Sequence, residues 1–256
     1  MRRLLAPLAG VCGVTVLLAG CGSTPGIVVE FREVEYHAMV YNPGSDQAFT
    51  AFVTSTRVVR VHPSSAARVD IIDSAAAGFA TPAERTRWLA AGAPTLAGAP
   101  AAGQVMSVPP GQFSFVPQGR VLTYQEVTVL PGTPQGVTSV VRAHSGTANG
   151  SDPPATLMLK QLGFLLGIAP LPPATRSAVW NAIALLPGIR SCGGGVDLAG
   201  RRGEGLCVDA AGYETEVLVD RAAHAVLAVE QRLLRPSVMY PAVPPGDLIE
   251  SYALVN

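Results

Sequence analysis

Lysine is almost missing from this 256-residue chain: Lys160 is the single example, set among 17 arginines. Basic and acidic residues balance at 18 each, and no window interleaves a basic stripe with aromatics, which excludes a nucleic-acid partner. Histidine is scarce as well. His37, His62, His144 and His224 are scattered, with no two at metal-ligand spacing, and each reads as a surface or turn residue. There is no G-x-S-x-G elbow and no H-E-x-x-H helix. Glu33 and Glu35 alternate with apolar neighbours, the pattern of a solvated strand face and not of a glycosidase pair. Gly193 to Gly195 lack the lysine and the helix that a phosphate loop needs. These absences point to a chain that is not an enzyme and carries no cofactor and no metal.

What is present begins at the N-terminus. Arg2 and Arg3 precede 17 uncharged residues, Leu4 to Gly20, interrupted by Pro7 and several glycines. Such a run is at the lower limit for a spanning helix and has the layout of a signal peptide. It ends in Leu18-Ala19-Gly20-Cys21, which resembles the lipobox of bacterial lipoproteins. The resemblance implies a signal peptide over residues 1–20 and a diacylglycerol on the thiol of Cys21. Residues 21–26 then form a flexible tether, and the chain is held on the extracytoplasmic face of the cell membrane. An uncleaved helix and an ordinary secretory cut are the alternatives. Each buried methylene contributes about 0.8 kcal/mol, so two or three acyl chains hold firmly where one is marginal. Without residues 1–20 the body has 16 basic against 18 acidic residues, so it has no general attraction to anionic lipid.

Of the four cysteines, Cys12 leaves with the signal and Cys21 is lipidated, so Cys192 and Cys207 remain for one disulfide. IRSCGGGVD and GRRGEGLCVD flank Leu198-Ala199-Gly200 as two arms of a hairpin. A two-residue loop would set the cysteines directly opposite each other. A type I turn closed by a left-handed Gly200 shifts the pairing by one, and a second bulge among the glycines would restore the match. Both registers are open. A redox pair or zinc site would need closer spacing or more ligands.

Along the chain, Ile27 to Ala75 reads as three antiparallel strands with turns at Asn42 to Ser45 and Pro63 to Ser65. Thr81-Pro82-Ala83-Glu84 starts a helix that runs through Trp88 to about Ala91. Ala93 to Gly111 is a loop, and Phe113 to Leu122 is strand-like around a Pro117-Gln-Gly119 turn. Thr123 and Glu126 form a capping box, and Thr133-Pro134 starts a helix ending near His144. Pro153 to Gly167 is apolar on nearly every side and must be buried, while Pro172 to Leu186 turns Val179, Trp180, Ile183 and Leu186 inward. From Ile189 the pattern is strand again. The whole is an α+β body over 27–256 with a helical insert at about 123–187.

LTYQEVTVLPGTPQGV, the helix pair entered by PP and closed by ALLPGI, and the hairpin VDLAGRRG occur in one order over Phe113 to Leu234. In this they resemble an actinobacterial envelope lipoprotein family. That family is similar in architecture to the LolA-like group, a curved, unclosed antiparallel sheet with helices packed on one face, which includes carriers of lipoproteins and glycolipids and envelope sensors. The resemblance implies a cavity between sheet and helices, lined by Leu157, Leu162, Phe164, Leu165 and Trp180. It supports a membrane-anchored protein that binds a lipid or other apolar ligand. The alternative is a sensor or accessory subunit of an envelope complex without a cavity. Arg201 and Arg202 at the hairpin tip read as solvated, with a lipid-headgroup or partner contact as the sharper possibility. Feeding cells a fatty-acid analogue should label the protein, and the label should vanish in Cys21→Ser; persistent labelling would refute the lipidation site.

Overall fold

The computed structural model describes residues 29–41, 48–62, 67–79, 81–96, 103–109, 111–145 and 154–255. Cys21 with its flanks, and the turns expected at 42–45 and 63–65, lie outside the described residues. Among the described residues, the strands form one antiparallel sheet. They are β1 (Val29–Tyr41), β2 (Phe49–His62), β3 (Ala67–Phe79), β4 (Val105–Val108), β5 (Arg190–Val196), β6 (Arg202–Ala210), β7 (Tyr213–Asp220), β8 (Ala225–Leu233) and β9 (Leu248–Val255). Their order is β4-β3-β2-β1-β9-β8-β7-β6-β5, so two meanders meet where the first strand pairs with the last and the sheet stays unclosed. The class is α+β, as the sequence pattern requires.

Five helices complete the described fold: α1 (Pro82–Ala90), α2 (Tyr124–Thr128), α3 (Pro134–His144), α4 (Ala155–Ile168) and α5 (Pro173–Ala184). Their starts follow local chemistry. Thr81, Thr123 and Thr133 each accept an amide hydrogen bond from the first turn, and Thr123 with Glu126 makes a reciprocal capping box. Helix α4 has no side-chain cap and is held by burial instead: twelve of its fourteen residues are buried. It lies on β6, β7 and β8, with α3 and α5 packed against it.

Two glycines set the depth of that seat. A Cβ on Gly163 would fall 2.8 Å from Val217 Cγ2 and 3.0 Å from Val229 Cγ2, and one on Gly167 would collide with Leu254 Cδ1. The helix axis therefore comes closer to the strands than any side chain would allow, and Leu159, Leu162 and Leu165 are fully buried beside them. Helix α1 is docked differently, through its ends. The Thr50 amide donates to buried Glu84 at 2.5 Å, and the Trp88 ring sits 5.2 Å from Phe79.

Two expectations need correction. Phe113 to Leu122 is not a strand: Gln118 and Gly119 take positive φ, which breaks extended geometry, and Gly119 sits so close to the His144 carbonyl that a Cβ there would overlap it. Phe113, Phe115 and Leu122 are still buried, so the alternation reports core contact without a ladder. Within the expected loop 93–111, Val105–Val108 adds the short edge strand β4 to β3.

The hairpin register is the one with the left-handed glycine. The Gly200 amide donates to Asp197 O at 2.9 Å and the Asp197 amide to Arg201 O at 3.0 Å, with Gly200 at φ +81°. Pairing then runs Val196 to Arg202 and Gly193 to Gly205, and shifts between Ser191 and Gly193. That second irregularity brings Cys192 to Cys207, and the two are disulfide-bonded with Cα atoms 5.9 Å apart. Among the described residues no helix is long and apolar enough to cross a membrane.

Gly163→Ala should destabilise the protein by about 1–3 kcal/mol, because the added methyl would press on two fully buried β-branched side chains, Val217 and Val229. Gly78→Ala, with nothing within 4 Å, should stay within about 0.5 kcal/mol of wild type in the same urea titration.

Candidate functional site

The face of β1, β2 and β9 that is turned toward α4 carries buried charge. Antiparallel register sets Glu33 opposite Arg57, Glu35 opposite Tyr252, and His37 opposite Glu250. The reading of Glu33 and Glu35 as a solvated face is therefore wrong: Glu33 is 3% exposed. Alternation alone does not say which face is wet, and here the polar set points at α4. Arg57 resolves the burial by bridging the two carboxylates, with Nε 2.7 Å from Glu33 and its terminal nitrogen on Glu35.

A second group adjoins it. Lys160, the lone charge on α4, is 4% exposed and ion-pairs with Glu250, whose other oxygen accepts the Tyr252 hydroxyl at 2.6 Å. The Lys160 ammonium also lies 5.5 Å from the Tyr252 ring centroid. The His37 ring meets the edge of Tyr252 at 5.2 Å and lies 3.8 Å from Glu250, so it is part of this network and not a turn residue. Burial alone would raise the Glu250 carboxyl; the Lys160 charge and the hydrogen bonds from Lys160 and Tyr252 outweigh it and hold its pKa below the usual glutamate value. Burial lowers His37, with Glu250 opposing the shift and Lys160 and Arg57 adding to it. Burial and the Glu250 charge push the Tyr252 phenol far up, so it stays a donor.

Above these charges is a pocket of about 160 Å³. Its walls are Phe31, Phe113, Phe164 and Tyr252, and its polar floor is Glu33, Glu35 and Arg57. The 113–117 wall is held to α4 by Gln161, which donates to Pro117 O at 3.1 Å and Gln118 O at 2.8 Å. Ser114 Oγ caps the Leu122 amide at 3.0 Å from below.

The residues expected to line a cavity are dispersed. Phe164 lies in the pocket wall, its ring 4.8 Å from Tyr252. Leu162 and Leu165 are packed into the core, Leu157 is half-buried on α4, and Trp180 borders a separate outer cleft beside His224. Arg201 is not a solvated tip: it donates to buried Asp197 at 2.6 and 2.8 Å and to Leu227 O at 2.7 Å, while Arg202 is exposed. Cys192, Cys207 and Glu216 gather ligand-type atoms within 4.8 Å, but the two sulfurs are bonded to each other and offer no thiolate to a metal.

Lys160, Glu250 and Tyr252 did not emerge from motif reasoning. One signal for them is plain in hindsight: a single lysine in ATLMLKQLGFLLGI, a helix with no wet side, has to find a carboxylate.

Lys160→Met should cost about 3 kcal/mol at neutral pH by leaving Glu250 unpaired, and Lys160→Met with Glu250→Gln should recover most of it. Because the folded pKa of Glu250 is depressed, its contribution is present above about 4.5 and lost as pH falls through the lower folded value, so the penalty should shrink in acid. Equal melting of single and double variants would show the pair to be uncoupled. Compared with known proteins, the chain matches no family model, no curated protein and no solved structure, so the site is read from its own geometry.

Proposed function

We propose that this chain is a lipid-anchored extracytoplasmic binding protein of LolA-like architecture, without catalytic activity, and that its ligand is amphipathic. One observation carries the reading: the pocket beside α4 joins four aromatic walls to a floor of buried charge. Aromatic walls with a few convergent polar groups are the usual composition of a binding site. At about 160 Å³ it is smaller than the roughly 300 Å³ at which ordinary small-molecule pockets begin. It therefore suits one end of a lipid-like molecule, the polar end against Arg57 and its carboxylates. The anchor at Cys21 and the membrane location rest on the lipobox resemblance. The unclosed sheet with a buried helix on one face supports the LolA-like comparison.

A second reading has its own support. Gly163 and Gly167 close the seam between α4 and the C-terminal strands, as a sensor or accessory subunit with a filled core would need. Native mass spectrometry of the chain extracted in mild detergent separates the two. Ile168 at the end of α4 also lines the pocket, and wild type should carry a bound amphipathic molecule that Ile168→Trp, filling that space, expels while the fold is retained by circular dichroism. A wild type free of any adduct would favour the accessory subunit.

A further inference from the structure

The two ends of the sheet are not equivalent. The tether from Cys21 reaches the sheet at Val29, and the seven residues between them, Gly22 to Val28, span at most about 25 Å fully extended. β1 runs 13 residues, so its far end lies about 40 Å further on. The pairings Arg32 to Val255, Ala228 to Ala253 and Asp220 to Ala225 bring the turn at 221–224 to the Val29 end, two strands across, or about 10–15 Å away. Gly167 against Leu254 and Val226 brings the C-terminal end of α4 there too, and α5 starts beside it.

That end holds an outer cleft of about 400 Å³, lined by Pro173, Arg176, Ser177, Trp180, Asn181 and His224. Its described lining contains two basic side chains and no carboxylate. The Arg176 guanidinium donates to Leu166 O at 3.0 Å and Ala169 O at 3.5 Å, which fixes it at the cleft wall with further N–H groups to spare. The Trp180 ring is half-buried and lies 5.6 Å from His224, which sits in the exposed turn at φ +49°. An indole with one apolar side and one wet side belongs at a membrane interface, and a guanidinium is the side chain best shaped for a phosphate.

We propose that this cleft binds the phosphate-bearing headgroup of an anionic membrane lipid and so sets the orientation of the body on the bilayer. The site is distinct from the pocket beside α4. The inference rests on the anchor reading for its placement at the membrane, and on the cleft alone for its chemistry. With a net charge of about −2 after removal of residues 1–20, the body has no general attraction to such lipids, so a local site must supply it.

The test uses the full chain in neutral maltoside micelles, with Trp88→Phe so that Trp180 is the remaining tryptophan. Titration with dihexanoyl phosphatidylglycerol should give a saturable change in Trp180 emission, and the phosphatidylcholine of equal chain length should not. Arg176→Gln and, independently, Ser177→Glu should weaken it at least tenfold; the second places a negative charge at an exposed helix position without touching the carbonyls that Arg176 caps. No saturable change, the same change with inorganic phosphate alone, or wild-type affinity in Ser177→Glu would overturn the proposal. The titration does not use the acyl anchor, so its outcome is separate from that of fatty-acid labelling in Cys21→Ser.

Discussion

The fold depends on the pairing of β1 with β9. Six residue pairs, from Arg32 with Val255 to His37 with Glu250, join an N-terminal meander that ends at Val108 to a C-terminal one that begins only at Arg190. Closing so long a loop has a real entropic cost, though one that grows only slowly with length. The helices between the meanders are what make the closure favourable. α4 brings an almost wholly apolar surface to β6, β7 and β8, and its one charge, Lys160, reaches across to Glu250 on β9. The buried ion pairs thus sit at the seam, where they tie helix, first strand and last strand in a single arrangement. Hydrophobic burial supplies the driving force, and the charges specify which strands meet.

The opposite face of the sheet has a polar cluster with contrary behaviour. Glu216 and Glu230 stand directly opposite each other on β7 and β8, both buried, with Arg232 2.5 Å from Glu230 and 3.8 Å from Glu216. Burial pushes both carboxyls up, and the Glu230 charge adds to the rise at Glu216, while Arg232 opposes it. Their folded forms hold protons more tightly than unfolded chain does, so this face stabilises in mild acid and weakens as pH rises through the raised values. Glu250 behaves in the reverse sense. The two faces of one sheet therefore titrate in separate windows, the Glu250 contribution being lost below about 4.5 and that of Glu216 and Glu230 above it, so their joint contribution is greatest near the ordinary carboxylate range.

Much of this architecture was legible in the residues. The three threonine caps, the buried character of α4, the C-terminal meander and the Cys192–Cys207 bond all follow from short-range rules about capping, periodicity and pairing. Even the hairpin register was among the two that turn chemistry permits. What stayed hidden depends on long-range register. Glu33 and Arg57 are 24 residues apart, and Lys160 and Glu250 are 90 apart; only the completed sheet shows that they face one another. The segment from Phe113 to Leu122 misled for a related reason. Alternating aromatics signal one buried side whatever the backbone does, and here the buried side belongs to an irregular wall pinned by Gln161.

Among the described residues the outermost strands of the sheet are β4 and β5, and they are guarded differently. β4 has four residues, too short a rail for another chain to dock along. β5 is longer and has three consecutive glycines, a composition that leaves strand register loosely determined and invites slippage. The covalent bond from Cys192 to Cys207 lies in that stretch. Its consequence extends beyond cohesion of one hairpin: it immobilises the strand that would otherwise be freest to peel away, and so denies neighbouring copies of the chain a template on which to stack.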